Sequence, residues 1–186
     1  MKRFCDLVLA VILMSIMSVP LGCLMLAIRF TSNGPALFWS DRVGRHGSVF
    51  RMPKLRTMKL NTPVVATASL QNPDLYLTPI GKFLRRSSLD ELPQVWNVIK
   101  GEMSFIGPRP ALFNQSDLIG LRNAHGIDAL LPGLTGWAQV NGRDDCSVSE
   151  KVRLDLEYLH RQSLMFDAKI LYLTGIVVVL GRGISH

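Results

Sequence analysis

Apolar positions follow different rules in different parts of the chain. Residues 7–28 are an uncharged run of 22, long enough as a helix to cross a bilayer core of about 30 Å. Pro20 removes a backbone hydrogen bond near its middle and, with Ser18 and Gly22 beside it, predicts a sharp bend. Residues 36–58 alternate in part around Gly44 and Gly47, which predicts a hairpin with strands at 37–42 and 49–56. Pro53 confines the second strand to a sheet edge or a bulge. Residues 61–79 are polar and carry Pro63, Pro73 and Pro79, the composition of a loop.

Helical signals take over from residue 80. A short helix over 80–86 leads to Ser88, which is followed by Glu91 and by the apolar spacing Leu92, Val95, Trp96, Ile99. That is a capping box opening a helix, with Pro93 tolerated in its first turn. Residues 113–123 read as a helix with Phe113, Leu118 and Leu121 on one side. Residues 132–143 read as a turn-rich loop, either a structural one with Trp137 in the core or one in which Gly133, Gly136 and Gly142 permit close backbone approach to a ligand and Trp137 offers a face to a nucleobase or to lipid. Ser147 and Glu150 form a second capping box, with a helix through about residue 162 on which Leu154, Tyr158 and Arg161 share a side. Asp167 caps a last apolar helix over 168–180, suited to the core or to a membrane interface.

Charge changes the reading of the first segment. The net charge is +7 over 186 residues, and residues 1–60 carry nine Lys or Arg against Asp6 and Asp41. The whole surplus therefore sits beside the apolar run, where an anionic leaflet attracts it at about 1 kcal/mol per basic residue. Lys2 and Arg3 precede the run, while Arg29, Arg42, Arg45, Arg51, Lys54, Arg56 and Lys59 follow it. Keeping both flanks on the cytoplasmic side requires a re-entrant helix-break-helix, because one straight crossing cannot satisfy both. A cleaved signal peptide fits poorly, since the run exceeds the usual apolar core of such peptides and Asp6 interrupts its start. The three cysteines, Cys5, Cys23 and Cys146, lack metal-ligand spacing and fit a reducing cytoplasm.

Candidate chemistry concentrates between residues 85 and 110. Asp90 and Glu91 lie at a helix start, just after Arg85 and Arg86, and Gly107-Pro108-Arg109-Pro110 closes the segment. An acidic pair there has a plain structural use, stabilising the positive helix end by about 0.3–1 kcal/mol. A carboxylate set among guanidinium groups equally makes a phosphoryl-transfer site, one side attacking phosphorus or holding a divalent cation and the other holding phosphate. Lys54 and Arg56, two apart on a strand, project from one face and could grip a diphosphate or meet lipid head groups.

The run 87–110, with Lys54-Leu55-Arg56-Thr57-Met58 upstream and Pro132-Gly133-Leu134-Thr135-Gly136-Trp137-Ala138-Gln139-Val140-Asn141-Gly142-Arg143 downstream, resembles the small monotopic phosphoglycosyl transferases, or bacterial sugar transferases. The resemblance covers residues 2–174 and has three motifs in the family's order. It implies a re-entrant membrane helix broken at a Ser-Pro dipeptide, where this chain reads Ser18-Val19-Pro20. It implies transfer of a sugar 1-phosphate from a UDP-sugar to polyprenol (undecaprenyl) phosphate, with release of UMP, on the cytoplasmic face of the bacterial inner membrane. Asp90 is then the nucleophile, forming a covalent aspartyl phosphosugar, and the protein contact of a Mg²⁺ ion; Glu91 assists or acts as a base. Arg85, Arg109 and Arg143 are candidates for the phosphates, Lys54 and Arg56 for the diphosphate, and Gln139 and Asp155 for further substrate contacts.

The expected fold is α+β and mainly helical. Residues 1–30 form the re-entrant membrane helix, and residues 31–186 a compact catalytic domain with a small β-hairpin and amphipathic interfacial helices. Two other classes explain part of the pattern: a non-catalytic polybasic membrane adaptor, and a nucleotide-sugar diphosphatase using water as acceptor. Nucleic-acid binding is disfavoured, because few aromatic residues lie near the basic stretch. An N-acetylated amino sugar is the expected cargo. The pathway served and the oligomeric state, a homo-oligomer included, stay open.

Overall fold

The computed structural model describes residues 1–63, 72–142 and 146–180. It is α+β and mainly helical. Helix α1, Lys2–Thr31, is followed by the hairpin β1, Leu37–Val43, and β2, Val49–Leu55. After α2 (Gly81–Arg86), a 3₁₀ turn at Leu89–Gln94 runs directly into α3, Val95–Lys100. Strands β3 (Ser104–Ile106) and β4 (Ala111–Leu112), helix α4 (Ser116–Ala124), strand β5 (Gly133–Thr135) and helices α5 (Trp137–Asn141), α6 (Val148–Arg161) and α7 (Leu164–Leu180) complete it.

The hairpin forms as its alternation predicts. Pro53 faces Trp39 across an antiparallel ladder, and the sheet order β2-β1-β4 leaves β2 at an edge, where a missing N–H breaks no ladder bond. The turn-rich segment 132–143 is more regular than expected. Gly133 to Thr135 pair in parallel with Ser104 to Ile106, and α5 follows.

Helix α1 continues through Ser18, Val19 and Pro20 without interruption. The expected helix-break-helix is therefore not realised as a gap in the helix. Proline costs one donor, and a helix with regular turns on both sides of it can absorb that loss; the Ser18 hydroxyl bonds back to the Ser15 carbonyl at 2.9 Å. One stripe of α1 is packed. Ala10 belongs to the main core with Met52, Val95, Tyr158 and Ile170, and Leu13 and Met14 lie against it. Ile28 belongs to a second core with Leu55 and Leu84, joined by Leu21, Leu24 and Met25. The opposite stripe is bare: Phe4, Ile16, Val19 and Phe30 are 73%, 62%, 73% and 85% exposed. The helix is long and apolar enough to cross a membrane.

Several local expectations are corrected. The helix expected over 113–123 begins at Ser116, because Ala111 and Leu112 are drawn into the sheet as β4 and the Gln115 side chain accepts the Leu112 N–H at 2.9 Å. Leu118 is buried there, but Phe113 and Leu121 are exposed. Ser147 does cap α6, accepting the Glu150 N–H at 3.2 Å. Glu150 turns to Arg153 instead of closing the box. Asp167 is not a cap, because α7 starts three residues earlier at Leu164 and Ser163 accepts the Phe166 N–H. Asp167 lies inside the first turn and binds Lys2 at 2.6 Å and the Tyr158 hydroxyl at 2.7 Å. The segment expected as a loop over 61–79 holds a 3₁₀ turn at Pro73–Tyr76, and its residues 64–71 lie outside the described part.

Candidate active site

The acidic pair stands at the junction of α2 and α3. Ser87 closes α2 by donating to the Phe83 carbonyl at 2.8 Å. Ser88 then adopts a left-handed φ of 56° and turns the chain. A side-chain cap needs an extended backbone at that position, so the first capping box does not form; only the Ser88 carbonyl engages Glu91 N–H, at 3.3 Å. Glu91 is consequently turned elsewhere. Lys54, near the end of β2, reaches its Oε1 at 2.8 Å, and Arg109 meets the same oxygen at 2.5 Å and Oε2 at 3.4 Å.

Arg109 owes its position to three glycines. A β-carbon on Gly133 would stand 2.1 Å from the Gly107 nitrogen, and one on Gly136 would stand 2.1 Å from the Gly107 carbonyl oxygen. A β-carbon on Gly107 would strike the Leu131 carbonyl at 2.3 Å. These glycines do allow close approach, but what approaches is the neighbouring backbone rather than a ligand. The turn Pro108-Arg109-Pro110 is thereby pressed against β5, with the Gly133 N–H donating to the Pro108 carbonyl at 2.9 Å.

The two carboxylates differ in kind. Burial pushes Glu91 up, but Arg109 and Lys54 together override it and hold it far below the ordinary carboxylate range. A group so firmly ionised is a poor proton acceptor, so of its two expected roles the geometry favours assistance over base catalysis. Asp90 is buried, with 8% of its surface exposed. Burial, reinforced by Glu91, pushes its carboxyl up to about 6 against the pull of Lys54, Arg85 and Arg109. Among the described residues Asp90 enters no salt bridge or hydrogen bond. It is a desolvated carboxylate beside two cations committed to Glu91, Lys54 and Arg109, and one that donates to Thr57, Arg85; a carboxylate so placed has oxygens available for attack or for a metal ion.

The other expected residues divide. Arg85 donates Nε to Thr57 Oγ1 at 3.1 Å, and its charge acts on Asp90. Arg56 turns away from Lys54 and ties down the end of α1, donating to the Ser32 carbonyl at 2.9 Å, to Ser32 Oγ at 2.8 Å and to the Asn33 carbonyl. Gln139 is buried in α5, its oxygen under Gly136 and its amide without a partner among the described residues. Asp155 is buried against Arg122 at 2.6 Å. Ser18 and Pro20 are exposed in mid-helix. Arg143 lies outside the described residues.

Two arginines at the site are not among the residues the sequence marks as candidates for it, although Arg42 is counted in the basic flank. Arg42 donates to Ser40 Oγ at 3.0 Å and to the Pro110 carbonyl at 3.3 Å, and burial, aided by Arg109, lowers it to about 10. Its place two residues after Ser40 in a strand was the available signal. Arg122 donates to the Arg109 carbonyl at 2.8 Å and sits on α4, with no local pattern to mark it.

Among the described residues no three His, Cys, Asp or Glu side chains cluster as a metal cage. Mg²⁺ needs no such cage, because it is commonly bound through one or two carboxylates together with substrate phosphates. With Glu91 occupied by two cations, Asp90 is the carboxylate that fits that role.

Comparison with known proteins bears on this geometry. The family model described as bacterial sugar transferase matches residues 1–181. The chain is 40% identical over 185 residues to the UDP-glucose:undecaprenyl-phosphate glucose-1-phosphate transferase of Escherichia coli (strain K12), covering 94% of this chain and 39% of that protein. It is 37% identical over 186 residues to the uncharacterized sugar transferase EpsL of Bacillus subtilis (strain 168), covering 100% of this chain and 91% of that one. With the exopolysaccharide production protein ExoY of Rhizobium meliloti (strain 1021) the identity is 34% over 198 residues, covering 98% and 87%. The chain thus spans about two fifths of the first relative and most of the other two.

Proposed function

The chain belongs to the bacterial sugar transferase family, and from that premise we propose that it transfers a sugar 1-phosphate from a UDP-sugar to undecaprenyl phosphate, as the first membrane step of glycoconjugate assembly. The observation that carries the reading is Asp90: buried, unpaired among the described residues, and flanked by Lys54, Arg85 and Arg109. An Asp90 oxygen attacks the sugar-linked phosphorus, the bond from that phosphorus to the bridging oxygen of the diphosphate breaks, and UMP leaves carrying the bridging oxygen. The product is an aspartyl phosphosugar. An oxygen of the lipid phosphate then attacks the same phosphorus, the bond to Asp90 breaks, and a polyprenol diphosphate sugar forms.

Lys54 and Arg109 hold Glu91 ionised, so neither proton nor cation has to be reshuffled as charge moves through the site. Arg85 and Arg109 offer planar donors to the phosphate oxygens. When bound, Mg²⁺ supplies positive charge to the diphosphate, with Asp90 as its protein contact. We place the catalytic body on the cytoplasmic face of the inner membrane. What supports this is α1: both halves pack on one body while the other stripe offers apolar side chains. A helix tied to that body near both ends enters and leaves the bilayer on one side, by bending or by lying within one leaflet.

The test uses detergent- or nanodisc-held protein, undecaprenyl phosphate, Mg²⁺ and a panel of UDP-sugars, N-acetylated amino sugars included, with UMP release as readout. Wild-type protein is expected to release UMP and to retain labelled sugar phosphate after denaturation when the lipid is omitted. Asp90→Asn loses both signals. Undiminished turnover in that variant would remove the nucleophile, and UMP release that continues over many turnovers without lipid, beyond the one equivalent that forms the intermediate, would make the protein a diphosphatase.

A further inference from the structure

We propose that Arg122, anchored by Asp155, is a positioning residue that fixes the main chain of Arg109 and so aims its guanidinium at Glu91. The inference rests on the reading of Asp90 and Arg109 given above. Arg122 Nε and Nη2 donate to a single Asp155 oxygen at 3.0 and 2.6 Å, while Nη1 donates to the Arg109 carbonyl at 2.8 Å. The pair is nearly sealed, the two side chains being 11% and 2% exposed. On the far side of the same turn Arg42 donates to the Pro110 carbonyl.

The sequence of the turn explains why carbonyls are gripped. Pro108 and Pro110 have no N–H and a fixed φ, so the carbonyls of Arg109 and Pro110 are main-chain handles that remain for neighbouring elements. Two buried guanidinium groups take one each. Arg122 is committed to protein partners: all three of its nitrogens donate to Asp155 or to the Arg109 carbonyl, and its side chain is 11% exposed. Asp155 is likewise engaged by Arg122, with its side chain 2% exposed. The geometry therefore runs from α6 through Asp155 to α4, from Arg122 to the Arg109 backbone, and from the Arg109 side chain to Glu91.

A buried ion pair of this kind could serve stability alone, and the test separates that from positioning. Replacing both members with apolar residues of similar size commonly preserves stability. The double variant R122M/D155L is therefore expected to keep a Tm close to wild type but to lose about tenfold to a hundredfold in kcat with undecaprenyl phosphate and the preferred UDP-sugar. The loss falls on kcat while KM for the UDP-sugar stays within about threefold of wild type, a split that a merely loosened fold would not give. Wild-type kcat in a folded double variant would overturn the inference.

Should that variant not fold, Arg122→Lys carries the decision. One ammonium keeps a charge opposite Asp155 but cannot reproduce three donors spread over two acceptors, so the same fall in kcat at unchanged KM is expected, and a wild-type kcat overturns the proposal. Asp90→Asn run alongside keeps the two readings apart. An active Asp90→Asn would mean that the catalytic assignment has failed; an inactive one beside a wild-type-like R122M/D155L would mean that only the positioning role has.

Discussion

The knot where α1 meets α7 and the cluster where β2 meets the 3₁₀ turn each set a lysine against a buried carboxylate, yet they leave different atoms unsatisfied. In the knot, Lys2 binds Asp167 at 2.6 Å and the Tyr158 hydroxyl at 3.2 Å, and that hydroxyl donates to Asp167 at 2.7 Å. Every member answers another, and burial together with Asp167 pushes the Tyr158 hydroxyl far above its ordinary range, so it stays protonated. In the cluster, Lys54 and Arg109 converge on Glu91 and bypass Asp90. A closed network rigidifies; an unpaired buried carboxylate costs stability and keeps its lone pairs available.

The sharpest way to break this contrast is Asp90→Asn. Turnover should fall by about 10⁴-fold or more, as when a nucleophile is removed from other enzymes, while thermal stability rises. Burial raises Asp90 to about 6 from 3.8, so the charged form opposes folding at pH 7 by up to about 3 kcal/mol. A lower Tm in the inactive variant would show that Asp90 is paired after all. Next in size is Arg109→Lys, expected to cost about a hundredfold in kcat, because one ammonium cannot span Glu91 and a phosphate. Steady-state UMP release measures it, with Tm as the control for folding.

A pH series sharpens the contrast without a mutation. The proposed mechanism requires ionised Asp90, so kcat/KM should fall about tenfold per pH unit below about 6. Stability should move the other way. A carboxyl raised in the folded state takes up its proton there first, so stability rises as pH falls through about 6 toward 4.5, the ordinary value of Glu91. Below that, Glu91, held low when folded, takes stability away again. Melting curves between pH 4.5 and 7.5 test the sign, and a flat profile would remove the raised carboxyl. The smallest effect belongs to Lys2→Met, which strips the knot of its cation. We expect a loss of about 1–3 kcal/mol for this partly exposed pair, read as a lower Tm, with kcat of the folded protein unchanged.

Much of the fold was legible because its signals are short-range. The 22-residue run, the hairpin with Pro53 at its edge and the Ser147 cap each declare themselves within a few residues. The acidic pair and the Pro-Arg-Pro turn were legible as candidates for the same reason. Where local reading failed, a partner distant in sequence had intervened: Ser88 was needed as a left-handed corner, and the start of the expected helix at 113 was claimed by the sheet.

What the sequence determined by itself, then, is which stretches are apolar, which alternate, and which residues could carry phosphoryl chemistry. What the tertiary structure alone decided is how the charges are shared out. Lys54 and Arg56 lie two apart, yet one reaches Glu91 and the other the end of α1. Asp155 is answered by Arg122, 33 residues away, and Asp167 by Lys2, 165 away. Periodicity reports which face a residue occupies, but the partner it meets there depends on the path of the whole chain. The raised carboxyl of Asp90 arises in the same way, from the burial this path imposes while it delivers Lys54 and Arg109 to Glu91.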